Sequence, residues 1–279
     1  MTRAARPADR ALLARLERYY DSVPRAGART EEIGPFTLFL STMAFPFYAR
    51  PRLGLSTPVV ADDVRLVRAR QRELGVPEAL EWVVQTTPSL SDAARATGLE
   101  VQELPLLVLE RALVVPTPPG VAIRRVAADE PDLEPIMAVA AVAFGHGGTA
   151  AGDPGPAERD AIAAGSTTDR TRLRERIASG AAVMMVAEDA DGPVASGVHQ
   201  PVGDVTEVVG VATLPTARRR GIGAAVTAAL VGHALASGLA LVFLSAASDD
   251  VARIYERLGF RRAALAGLAE PPADDAAAR

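Results

Sequence analysis

The sequence has 279 residues, a formal net charge of -4, and 49% hydrophobic against 23% charged residues, which accommodates two domains and excludes a disordered chain or an overall basic footprint for nucleic acid. All 30 basic residues are arginine and cysteine is absent, which rules out a phosphate-binding or Schiff-base lysine, a thiolate nucleophile, a zinc-thiolate site and a disulfide framework. The histidines, His146, His199 and His233, lie far apart without metal-ligand spacing, so no metal is expected.

From the amino terminus, Pro7 to Tyr20 sets apolar residues at helical spacing between arginines and predicts an amphipathic helix. It lacks the apolar core of a signal peptide, and no stretch approaches the roughly 18 apolar residues of a membrane span. A cytoplasmic protein without a membrane partner is expected. Strands are predicted around "IGPFTLFL" and "AFPFYARP", then a helix over Ala61–Leu74, the strand "ALEWVV", a helix over Leu90–Ala96 and the strand "LPLLVLE". The proline-rich run "VVPTPPGVAIRRV" reads as a stiff connection and divides the chain into a domain over 1–114, a linker over 115–120 and a domain over 121–279. The last residues are expected to form a disordered tail. The second domain reads as the strand "VAIRRV", helices over Asp132–Ala143 and Arg170–Ala178, and the strands "AAVMMVAE", "PVASGVHQP" and "TEVVGVAT". A glycine-containing turn and a helix to Ala236 follow, then the strand "LALVFLSA", the helix "DDVARIYERLG" and the strand "RRAALAGL". This is a mixed α/β order.

The two halves echo each other. "ALEWVVQTTPSLSDAARATGLEVQELPLLVLE" and "LALVFLSAASDDVARIYERLGFRRAALAGLAE" are each a strand, a polar turn, a short helix and a final strand. Gly98 and Gly259 occupy the same place, where a left-handed residue ends a helix. The first half enters its helix through Ser56, Thr57 and Pro58, which suit a helix start but supply no glycine pair.

The turn "LPTARRRGIGAAV" carries the chemistry. The first N–H groups of a helix lack intrahelical partners and sit at the positive end of the helix dipole, so anions bind there. Gly221 and Gly223 clear side-chain atoms from the main chain around Ile222, while Arg218, Arg219 and Arg220 add charge and forked donors for a diphosphate. A dinucleotide fingerprint is disfavoured, because Val226 stands at the sixth position of "GIGAAV" where glycine or alanine is needed. A P-loop is excluded by the absent lysine.

The pattern R-x-x-G-x-G, met by Arg218, Gly221 and Gly223 between a strand and a helix, resembles the acetyl-CoA-binding motif of the GNAT acetyltransferase family. The downstream "ARIYERLGF" resembles that family's second hallmark. The resemblance covers about Val121 to Leu268 and implies a mostly antiparallel central sheet flanked by helices. With the echo, it implies two tandem copies, the first degenerate and without a cofactor site.

The implied reaction is direct acetyl transfer from acetyl-CoA to a primary amine of a small molecule or peptide, by a monomer or homodimer. By resemblance, Val211 and Thr213 offer strand N–H groups to the pantetheine arm, although both are also ordinary strand residues. Tyr255 matches the general acid, a phenol protonated at neutral pH; packing on the sheet would explain it equally. Glu207 is a candidate base, because period-two alternation sets it on the face of Val211 and Thr213; a solvated carboxylate is the other reading. Ser248, Asp249 and Asp250 suit a helix start. His199 reads as a base or, in preference, an ordinary strand histidine, and His233 as packing; His146 lies in the glycine-rich "FGHGGTAAGDPGP", where the family builds its acceptor pocket, and either gates or lines that pocket or belongs to a flexible loop. Two alternatives stand: a catalytically silent acyl-CoA sensor or interaction module, and the disfavoured nicotinamide-cofactor oxidoreductase.

Overall fold

The computed structural model describes residues 9–42 and 48–272; residues 44–47 of the predicted strand "AFPFYARP" and the expected tail beyond residue 272 lie outside them. The chain divides into two compact units. The first comprises the described residues up to Leu106 together with Ser245–Asp249 and those from Arg262 on, and the second comprises Leu107–Leu244 with Asp250–Arg261.

The first unit contains α1 (Arg10–Arg25), β1 (Ala28–Ile33), β2 (Phe36–Ser41), β3 (Ala49–Pro51), α2 (Ala61–Glu73), β4 (Leu80–Val83) and α3 (Ser89–Arg95). It also holds most of β5 (Glu100–Leu109) and of the last strand, β11 (Phe260–Glu270). The strand order is β1-β2-β3-β4-β11-β5. β1, β2 and β3 pair antiparallel, β3 and β4 parallel, and β11 antiparallel to β4 with Ala266 opposite Val83 and Ala269 opposite Leu80. Gly267 faces Trp82, and a Cβ there would overlap the indole. The core gathers Phe36, Leu38, Val64, Val67, Leu80, Trp82 and Leu90, with Ala269 from β11.

That strand is where the structure departs from two consecutive domains split at the proline run. β11 completes the sheet of the first unit, because its ladder partner is β4 and its small residues fit against Trp82.

The second unit contains β6 (Ala122–Arg125), α4 (Leu133–Gly145), α5 (Pro156–Gly165), α6 (Thr171–Ala178), β7 (Val183–Asp189), β8 (Gly192–Val202) and β9 (Val205–Thr213). A 3-10 turn (Pro215–Ala217), α7 (Ile222–Ala236), β10 (Leu241–Ser245) and α8 (Asp249–Glu256) follow. The strand order is β10-β9-β8-β7-β6, with β9 and β10 parallel and the other neighbours antiparallel. Helices cover both faces. Leu133 and Ile136 of α4 pack with Met184, Val186 and Val198, joined by Leu173 and Ile177 of α6. On the other face, α7 lies over Gly197, where a Cβ would stand 3.0 Å from Leu230 and 3.2 Å from Val226. Helix α5 was not among the predicted elements. Pro156 at its first position fits a helix start, but its polar, alanine-rich sequence carries a weak apolar stripe.

Candidate functional site

Strand β9 interrupts the regular sheet. Its parallel ladder with β10 runs only from Val205↔Leu241 to Glu207↔Phe243, so Val208–Thr213 extend past it. Its antiparallel ladder with β8 slips by one residue between Val198↔Val209 and Ser196↔Ala212. Gly210, at φ +61°, provides the left-handed step of this bulge. Further along, Leu214 N–H donates to Val194 O at 2.9 Å. Successive strand N–H groups alternate in direction, so those of Thr213 and Val211 turn from β8 toward the edge that the β10 ladder leaves open.

The extra residue also exchanges faces, and this corrects the placement of Glu207. Val211 lies 3.2 Å from a Cβ built on Gly197, and Thr213 Oγ1 lies 3.1 Å from one built on Gly223, so both residues face α7. Glu207 pairs with Gln200, in phase with Val198 on the α4 face. Unbroken alternation would have joined Glu207 to Val211 and Thr213; the bulge separates them. The signal was present in the sequence as a glycine inside a strand pattern.

Beyond β9, the 3-10 turn leads through Arg219 at φ +64° and Gly221 at φ +80° into α7. The first helical bond runs from Ala225 N to Gly221 O at 3.1 Å. Ile222, Gly223 and Ala224 therefore offer N–H groups with no carbonyl inside the helix, and among the described residues those of Arg219, Arg220 and Gly221 also donate to no protein acceptor. No side chain caps the helix. The two glycines differ in role. Gly221 is required by its positive φ, with only Pro118 within 4.0 Å of a built Cβ, whereas Gly223 lets the helix approach Thr213. Ile222 is buried in the core and presents only its main chain.

The three arginines part company. Arg219 is exposed and makes no hydrogen bond or ion pair among the described residues. Arg220 donates to Asp189 Oδ2 at 3.0 Å and stays half-exposed. Arg218, expected to serve the diphosphate, instead donates to four carbonyls: Thr213 (3.2 Å), Ala150 (3.1 Å), Ala143 (2.8 Å) and His146 (2.8 Å).

Tyr255 is half-buried on α8, edge-on to Phe260 with ring centroids 6.0 Å apart. Burial pushes its phenol up to about 12, which holds the proton in place as a donor. Just after α8, Gly259 adopts φ +92° and its carbonyl accepts from Glu110 N (3.0 Å) and Arg111 N (3.2 Å). A Cβ there would fall inside the Arg111 carbonyl oxygen. The carboxylates of Asp249 and Asp250 accept from Arg262 and Arg253. The histidines sort into two groups. His199 Nδ1 lies 2.9 Å from Thr206 Oγ1 and its Nε2 3.0 Å from His233 Nδ1, beneath α7, whereas His146 lies 3.0 Å from Glu158 on the α4–α5 segment. No cluster of three His, Asp or Glu able to hold a metal occurs among the described residues.

Residues 180–262, which span the bulge, the turn and Tyr255, match the family described as the acetyltransferase (GNAT) domain. That stretch is similar to a GNAT domain. Its structure is similar to a GCN5-related N-acetyltransferase from Kribbella flavida, with 26% identity, a TM-score of 0.72, and 96% of this chain and 99% of that one covered. A GNAT-family protein from Novosphingobium aromaticivorans (18% identity, TM-score 0.54, 95% and 100% covered) shares the fold. So does a GCN5-related N-acetyltransferase from Sphaerobacter thermophilus (15%, 0.54, 91% and 84%). No curated protein matches the sequence. The match over residues 180–262 supports acyl transfer in general, and the fold shared with these structures is a mixed α/β architecture of mostly antiparallel sheet flanked by helices. No helix among the described residues is long and apolar enough to cross a membrane.

Proposed function

We propose that the chain is a cytoplasmic N-acetyltransferase that moves the acetyl group of acetyl-CoA directly to a primary amine of a small molecule or peptide. The observation that carries this reading is the run of main-chain N–H groups from Arg219 to Ala224 without protein acceptors among the described residues, at the positive end of α7. These groups would hold the diphosphate, with the exposed Arg219 and the half-exposed Arg220 adding charge. Val211 and Thr213 would hold the pantetheine arm and polarise the thioester carbonyl through N–H groups turned to the open edge of β9. Tyr255, kept protonated by burial, would donate to the departing thiolate.

The first unit supports the tandem reading. Its β1-β2-β3-α2-β4 order repeats β7-β8-β9-α7-β10 with the same pairing senses. The start of α2 differs from that of α7: Asp62 and Asp63 stand in its first turn, and Asp63 accepts from Val60 N at 3.0 Å. Acidic groups at that end take the place an anion would need, so this copy serves as scaffold.

One observation favours the second reading, a silent acyl-CoA sensor: Glu207 lies on the face opposite Val211 and Thr213, so the base foreseen for the amine does not share the face of the residues assigned to the pantetheine arm. Thiol release from acetyl-CoA across a panel of primary amines separates the readings. A transferase releases free thiol with at least one acceptor, and binding without release by any of them would establish the sensor.

A further inference from the structure

We propose that Arg218 is a positioning residue: it fastens the segment between α4 and α5 to the turn that precedes α7, and it is not a ligand of the diphosphate. The proposal rests on reading that turn as the acyl-donor site. Arg218 donates once to Thr213 O, where β9 ends, and three times to the far segment, at Ala143 O, His146 O and Ala150 O. Ala143 lies in the last turn of α4 and His146 just after it, where helix carbonyls lack intrahelical donors and carry the negative end of the dipole. A planar guanidinium has five N–H donors in a fixed fork, and four are already directed at carbonyls. Turning the fork to a phosphate would release the α4 end.

The fastening has further parts. Gly152 N donates to Pro215 O at 3.2 Å, and Thr216 N to Pro154 O at 3.1 Å. Gly155 stands so close to Thr216 that a built Cβ would lie 2.7 Å from its Oγ1. The glycine-rich run, whose composition alone suggests freedom, is thus held at both ends of the 3-10 turn. It carries His146 and leads into the helix bearing Glu158. The geometry therefore links the turn that receives the donor to the segment flanking the acceptor side, with Arg218 as the link. Lysine at this position presents one ammonium and cannot span four carbonyls.

The test uses the full chain, CoA as probe, hydrogen exchange and calorimetry. In the free protein, Arg218→Ala is expected to speed exchange of amides 146–155 at least tenfold while α2 and β2 stay as in the wild type. Its CoA affinity should stay within threefold, and the protection that CoA confers on 146–155 in the wild type should vanish. Arg218→Lys should not rescue these effects. The double variant Arg219→Ala, Arg220→Ala should do the reverse, weakening CoA at least tenfold with 146–155 unchanged. Gly155→Ala loosens the same contact from the other side; if Arg218→Ala does not fold, faster exchange of 146–154 in this variant decides the question. The proposal is overturned if Arg218→Ala weakens CoA tenfold with 146–155 unchanged, or if exchange rises throughout the chain. Failure of the wild type to bind CoA would remove the donor-site reading, and the exchange of the free protein would still decide the fastening.

Discussion

Acidification from pH 7.5 to 5 is expected to weaken the second unit through His199. This imidazole is fully buried (0% exposed), and burial, then the neighbouring His233, pushes its pKa down from 6.5 to about 4. The unfolded chain takes up the proton first. The stability that depends on neutral His199 is therefore complete above pH 6.5 and is lost as the pH falls toward 4. A drop from 6.5 to about 4 corresponds to about 3 kcal/mol in full, of which about 2 kcal/mol is gone at pH 5. His233, also lowered, by burial and by Arg125, acts in the same direction. His199→Gln keeps a neutral donor and acceptor but does not titrate, so it cancels the contribution of the carboxylates. Urea unfolding of both proteins at pH 7.5 and 5 is the assay. The wild type should lose about 2 kcal/mol relative to His199→Gln; parallel losses would show that His199 does not carry the pH dependence.

Gly259→Ala should destabilise the protein by about 3 kcal/mol or more, since the new Cβ meets the Arg111 carbonyl and the backbone stands at positive φ; an unchanged melting temperature would contradict this. Tyr255→Phe should lower acetyl transfer at least tenfold, about 1.4 kcal/mol of barrier, with CoA affinity unchanged. Equal turnover would remove the phenol from the mechanism.

How much of this was legible in the sequence follows from the range of the interactions involved. The turn from Arg218 to Gly223 and the Tyr255–Gly259 segment are local, so their residue types and spacing announced them. Helix α7 and strands β7, β8, β9 and β10 carried strong apolar patterns and fell where expected. Four features depend on partners far along the chain. Gly210 looked like any glycine in a strand, and only the slipped ladder with β8 shows that it reverses the face of Glu207. Arg218 looked like its neighbours, and only the carbonyls of Ala143, His146 and Ala150 separate it from them. His199 and His233 are 34 residues apart in sequence, and the packing of α7 on β8 brings their rings within hydrogen-bond distance. The sheet to which β11 belongs was likewise set by Trp82, far from it in sequence.

If the N–H groups from Arg219 to Ala224 grip a diphosphate, calorimetric titration with CoA and with pantetheine, which lacks that group, reads the grip as a difference in affinity. CoA should bind at least a hundredfold more tightly than pantetheine, a difference of about 2.7 kcal/mol. Equal affinities for the two, or binding of neither, would contradict it.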